Sequence, residues 1–121
     1  MIRKLLSATS PRSTRRAEII CTALLTLLIE GVTLIFRFVF GVQAAQATSF
    51  VSSLSFGLRV HHCYVGAVVC ALAFLFAQGS WLRVWALRLG LALVFSDLLH
   101  HFVVMMLIIG HHEFDLFYPV Q

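Results

Sequence analysis

Asp97, His100 and His101 lie inside a run that is otherwise fit for the interior of a lipid bilayer. Ionisable side chains cost on the order of a few kcal/mol or more there, so they face a protein interior and have partners. Two earlier apolar stretches can supply them: Glu30 and Arg37 come from the first, Arg59, His61 and His62 from the second. Imidazole and carboxylate are the ligand types of zinc and iron, and such a centre draws three or four of them from separate elements. The expected metal ligands are His62, Asp97, His100 and His101. Glu30 is the candidate general base for a metal-activated water, with Arg37 and Arg59 as supporting charges. His111 and His112 follow Gly110 at the expected water boundary, as a lid or a secondary site.

Spacing decides which of these groups can meet. His100 and His101 follow Asp97 by three and four residues, which on a helix brings all three to one face. Thr22, Thr26, Glu30, Thr33 and Arg37 recur at intervals of four, four, three and four, a single polar stripe on an apolar helix. Glu30 and Arg37 are separated by ~10 Å of rise, too far for a direct bond between most rotamers. Each therefore needs another partner: His100 for Glu30, and Asp97 or the tail acids for Arg37.

Other chemistries fit these residues less well. A haem b held between His62 and His101 needs a wide apolar slot and ligands at one depth. A proton relay through the acids and imidazoles requires assembly into a larger pore. The strongest rival to a metal or cofactor is a non-catalytic accessory subunit, whose buried His, Asp, Glu and Arg network only fixes packing, with no cofactor at all. No nucleophile elbow or phosphate-cradling glycine loop is present. Cys21, Cys63 and Cys70 show no C-x-x-C spacing and read as packing residues.

The elements that must position this chemistry follow from composition. Of 121 residues, 60% are hydrophobic and 12% charged, and the mean hydropathy is +0.95. Such a chain lacks the polar skin of a water-soluble domain, so the fold class is an all-α integral membrane protein, three transmembrane helices in a small bundle. The spans are placed at about 17–41, 57–78 and 81–110, between a basic flank at 1–16 and a polar, aromatic tail at 111–121. The stretch 42–56 has no charged residue and reads as a connector. Arg59, His62, Gly66, Cys70, Ala73 and Ala77 recur at helical spacing, so the second helix is expected to turn His62 into the bundle and His61 away from it. Trp81 and Trp85 read as interfacial anchors, and Phe114, Phe117 and Tyr118 as an aromatic tail folded back on the interface.

Charge sets the orientation. The net charge is +4, and five of the nine basic residues fall in the first sixteen positions. That is the distribution of a cytoplasmic flank, not of a nucleic-acid-binding surface. It implies a cytoplasmic N-terminus, an outer C-terminus and a site in the outer half of the bilayer. A bacterial inner membrane suits the short loops. The expected partners are the bilayer and either further copies of the chain or a larger membrane complex, with no nucleic acid.

Overall fold

The computed structural model describes residues 15–42, 50 and 53–118. Most of the basic flank, most of the connector (43–49, 51 and 52) and the end of the tail (119–121) lie outside the described residues. The described chain is helical, without strands beyond one isolated bridge between Leu58 and Phe117. Helix α1 spans Arg15–Val39, α2 spans His62–Ala73 and α3 spans Trp81–Ile108. At 25 and 28 residues, α1 and α3 are long and apolar enough to cross a membrane, and α2 is a shorter apolar helix.

Local chemistry sets the ends. Ser80 caps α3, its Oγ accepting the Arg83 amide at 3.3 Å. Gly41 ends α1 with φ +66°, a left-handed conformation that lets the Val42 amide reach back to the Phe36 carbonyl at 3.0 Å. The last turn of α1, Ile35–Val39, and the segment His100–Val104 of α3 are both wound as π-helix. Such widened turns put successive side chains closer together around the axis than an α-helix does.

The interior is polar and the exterior apolar. Among the described residues the buried hydrophobic side chains are Ala73, Ala92 and Met105, whereas Thr26, Glu30, Arg59, His61, Ser96, Asp97, His100 and His101 are all buried. Leu24, Leu27 and Leu28 on α1 each expose more than three-fifths of their surface. The polar stripe expected on α1 does face inward at Thr26 and Glu30. Its threonines bond their own helix, Thr26 to the Thr22 carbonyl at 2.8 Å and Thr33 to the Ile29 carbonyl at 2.9 Å. Only Glu30 and Arg37 of the stripe are therefore seen to reach across to other segments.

Helix α3 is the centre of the bundle, packing on α2 most extensively and on α1 next. Its contact with α2 depends on two glycines: a Cβ on Gly66 would stand 2.5 Å from the Gly90 carbonyl, and one on Gly90 would stand 2.5 Å from Cys70 Sγ. Small residues at this crossing let the two backbones approach. Against α1 the register is fixed by two bonded pairs, Glu18 with Arg88 and Glu30 with His100, separated by the same twelve-residue interval on each helix. The helices therefore run parallel, with ~18 Å between the two pairs.

The second helix differs from the sequence-based expectation. It begins at His62 and not near Gly57, and the residues before it are extended, with His61 at φ −92° and ψ 150°. The tail holds them there: the Arg59 amide donates to the Leu116 carbonyl at 2.8 Å and the Tyr118 amide to the Gly57 carbonyl at 2.8 Å. Gly57, with φ +81°, turns the chain into this segment. Residues 57–61, expected as the first turns of a helix, are instead paired to the returning tail.

Candidate metal centre

The pairing of 57–61 with the tail decides which histidine enters the bundle. His61, the residue before the first turn of α2, is 3% exposed and lies against α3, whereas His62 is exposed. The rotation assigned to these two residues from helical periodicity is therefore reversed, because periodicity does not apply to an extended segment. His61, Asp97 and His101 come together: each offers one ligand atom, and the three atoms lie within 4.8 Å of one another. All three side chains are buried.

Hydrogen bonding fixes the state of His61. Its Nε2 lies 2.8 Å from the Asp115 carbonyl, which can only accept, so Nε2 carries the proton. In the neutral ring Nδ1 is then a lone pair, and it faces Asp97 Oδ2 at 3.6 Å. Two acceptors opposed at that distance are satisfied by a cation between them or by a second proton on the ring. His101 Nε2 stands 3.8 Å from Asp97 Oδ1, and neither of its ring nitrogens has a hydrogen bond among the described residues. Asp97 Oδ2 and His101 Nδ1 are buried without a hydrogen-bond partner among the described residues. Buried polar groups are rarely left in this condition, and an ion is one of the standard explanations.

Bonds of ~2.0–2.2 Å from nitrogen and oxygen to zinc place tetrahedral ligands ~3.3 Å apart. The two imidazoles stand 3.6 and 3.8 Å from different oxygens of Asp97 and the three ligand atoms lie within 4.8 Å, so the side chains would have to draw together to share one ion. The bond from His61 to a backbone carbonyl is the kind that orients a ligand imidazole and sets its tautomer. Arg37 bonds Glu113 at 2.7 Å and Arg59 bonds Asp115 at 3.4 Å, so among the described residues neither arginine pairs with Asp97 or Glu30, although both stand in the wall of the cavity beside Asp97.

Glu30 and His100 form a separate pair beside the trio. His100 Nδ1 lies 2.8 Å from Glu30 Oε1, and Ser96 Oγ donates to Glu30 Oε2 at 3.3 Å. The expected bond between Glu30 and His100 is thus present. It leaves His100 outside the group of three, although its ring centroid is only 5.2 Å from that of His101. The π-helical turn explains how two successive histidines are both buried. Arg37 finds the tail acid Glu113 and not Asp97. Arg59 donates to the Glu113 carbonyl and the Asp115 carboxylate, both at 3.4 Å.

The cover over the site is also different from expectation. His111 and His112 are exposed, and His112 stacks on Phe102 at a centroid distance of 5.8 Å. The residue lying over the trio is Phe114, stacked on His61 at 4.1 Å and edge-on to His101 at 5.4 Å. Three participants were missed from the sequence, namely His61, Phe114 and the Asp115 carbonyl. The only available signal was that 111–118 carries aromatic and acidic residues within reach of the histidines. Cys63, expected as a packing residue, lies close to the Asp97 carboxylate.

A cavity of about 50 Å³ adjoins the trio, with Arg37, Arg59 and His100 also in its wall. That is room for a few waters. Three protein ligands and adjoining solvent space are the layout of a centre with an open coordination position. No protein-family model, curated protein or solved structure matches this chain, so function has to be argued from the site itself.

Proposed function

We propose that this chain is a small membrane protein of three spanning segments that holds a transition metal, zinc or iron, between His61, Asp97 and His101. The observation that carries the reading is the buried carboxylate of Asp97, with one oxygen unbonded among the described residues and two imidazoles at 3.6 and 3.8 Å. The apolar exterior supports the membrane location, as do the lengths of α1 and α3. With 12 helical residues, α2 covers only ~18 Å, and the extended stretch before it completes the crossing. Irregular backbone is tolerated at membrane depth where its polar groups are bonded inside the protein, as Gly57 and Arg59 are by the tail. The basic N-terminal flank supports a cytoplasmic N-terminus, with the site towards the outer side.

Glu30 stands behind the metal and not on it. It orients His100 through Nδ1, so His100, and not Glu30 itself, would be the group placed to accept a proton beside a metal held by the trio. The test is elemental analysis of protein purified in mild detergent, alongside His61→Ala, His101→Ala and His62→Ala. Wild-type chain carries about one metal, His62→Ala retains it, and the other two lose it while keeping their helical circular dichroism. Wild-type protein that stays metal-free after incubation with zinc or ferrous iron overturns the reading and returns the network to a purely structural role.

A further inference from the structure

A second cavity, of about 240 Å³ and mostly apolar, runs along α1 beside Val32, Phe36 and Val42. Arg37, His62 and His100 line both this cavity and the small polar one at the trio, so the two adjoin. One end of the combined space is charged and the other is hydrocarbon-like. Arg37 gives its Nη2 to Glu113, and its remaining donors have no bond among the described residues. His100 is held through Nδ1 by Glu30, which leaves its Nε2 unbonded among the described residues.

We propose that the two cavities form one binding site for a single-chain carboxylate amphiphile. Its head lies against Arg37, His100 and the open position of the metal, and its chain lies along Val32, Phe36 and Val42. The inference rests on the metal reading given above. Size fits the class: the polar cavity of about 50 Å³ has room for a carboxylate and a water. Charge selects it too, because the head meets an arginine and a metal whose own ligands supply one negative charge. The apolar walls exclude a small free anion as the preferred ligand, since it would leave them uncovered.

The test uses protein loaded with cobalt(II) in phosphatidylcholine nanodiscs, where a ligand on the metal alters the visible absorption band. Acetate, decanoate and decanol are titrated against wild type and Val32→Trp, a substitution at a half-exposed position that fills the apolar cavity. Decanoate binds wild type at least ten-fold more tightly than acetate, and decanol leaves the band unchanged. In Val32→Trp the advantage of decanoate disappears while acetate binding is retained. Equal affinities for acetate and decanoate in wild type overturn the proposal. So does a chain-length advantage that survives in Val32→Trp, because it then reflects partition into the bilayer. Absence of any cobalt band overturns the metal reading together with this one, whereas a band insensitive to chain length overturns this one alone.

Discussion

Two ionic clusters tie α1 into the bundle through α3, and they are built in opposite ways. At one end Arg88 holds Glu18 with two bonds, Nε to Oε2 at 2.7 Å and Nη2 to Oε1 at 2.9 Å. At the other end, next to the bonded pair of Glu30 and His100, Asp97 faces His61 and His101 at 3.6 and 3.8 Å and leaves Oδ2 unbonded among the described residues. The first is a two-bonded fork in which both partners are charged and matched. The second brings a carboxylate and two imidazoles together with one carboxylate oxygen unbonded among the described residues. Both are acid–base clusters in an apolar chain, so the presence of charge does not separate a structural element from a binding site. The state of the hydrogen bonds does.

The largest test of that contrast is a pair of neutralising substitutions with opposite expected signs. Asp97→Asn removes a ligand charge and weakens metal binding by more than ~100-fold, beyond the range seen for groups that only orient a ligand. In metal-free protein the same change raises the thermal midpoint, because an uncompensated buried carboxylate is destabilising. Glu18→Gln lowers the midpoint whether or not metal is present, since it takes away the charge that pairs with Arg88 and one of its two acceptor oxygens. The cost is only about 1 kcal/mol, because the Glu18 side chain is 36% exposed and water screens the loss. Thermal unfolding in detergent, with chelator and with zinc, reads both effects. Shifts of the same sign in chelator would show that the two clusters are alike after all.

A smaller effect tests whether the metal ligands depend on helix packing at a distance. Gly90→Ala forces a Cβ against Cys70 Sγ at the crossing of α2 and α3, an overpacking change that costs ~1–3 kcal/mol. Because His61 leads into α2 while Asp97 and His101 lie on α3, metal affinity falls with stability. Gly31→Ala is the control, with nothing within 4 Å of the added methyl. It leaves metal binding unchanged and stabilises α1 by ~0.5–1 kcal/mol. Denaturant midpoints and a zinc titration on the two variants separate these outcomes.

Much of the frame was legible because helical periodicity and apolar length are local properties. The intervals from Thr22 to Arg37 place Glu30 on an inward face, and the interval from Asp97 to His101 places both on one face. These statements hold as long as the chain is helical. They fail at His61 and His62, because the backbone before His62 is extended and paired to residues 116–118. Nothing local in Leu58–Val60 announces that pairing, since it depends on a segment more than fifty positions away. The burial of both His100 and His101 was likewise illegible, because a π-helical turn has no distinctive composition. The acids of the tail were visible as candidates for Arg37, but the specific choice of Glu113 depends on how the tail folds back.

That tail gives the mildest test, and the one that bears most directly on how an unsatisfied cluster is kept away from water. The Phe114 ring lies flat on His61 at 4.1 Å, over the imidazole that the Asp115 carbonyl orients. Removing the ring in Phe114→Ala leaves every ligand atom in place, so the metal still binds. What changes is the freedom of His61 to rotate out of the trio and the access of water and chelator to the site. Loss of such an orienting neighbour costs ~10–100-fold, and the lower end is expected because the carbonyl bond survives. The metal therefore leaves the variant about 10-fold faster in a chelator-exchange assay. Phe117→Ala is the matched comparison: its ring is 61% exposed, and it joins the bridge to Leu58 through backbone that the substitution preserves. Equal exchange rates in the two variants would mean that the tail acts on the site through its backbone alone. A faster rate confined to Phe114→Ala makes this one aromatic ring the cover that closes the cluster.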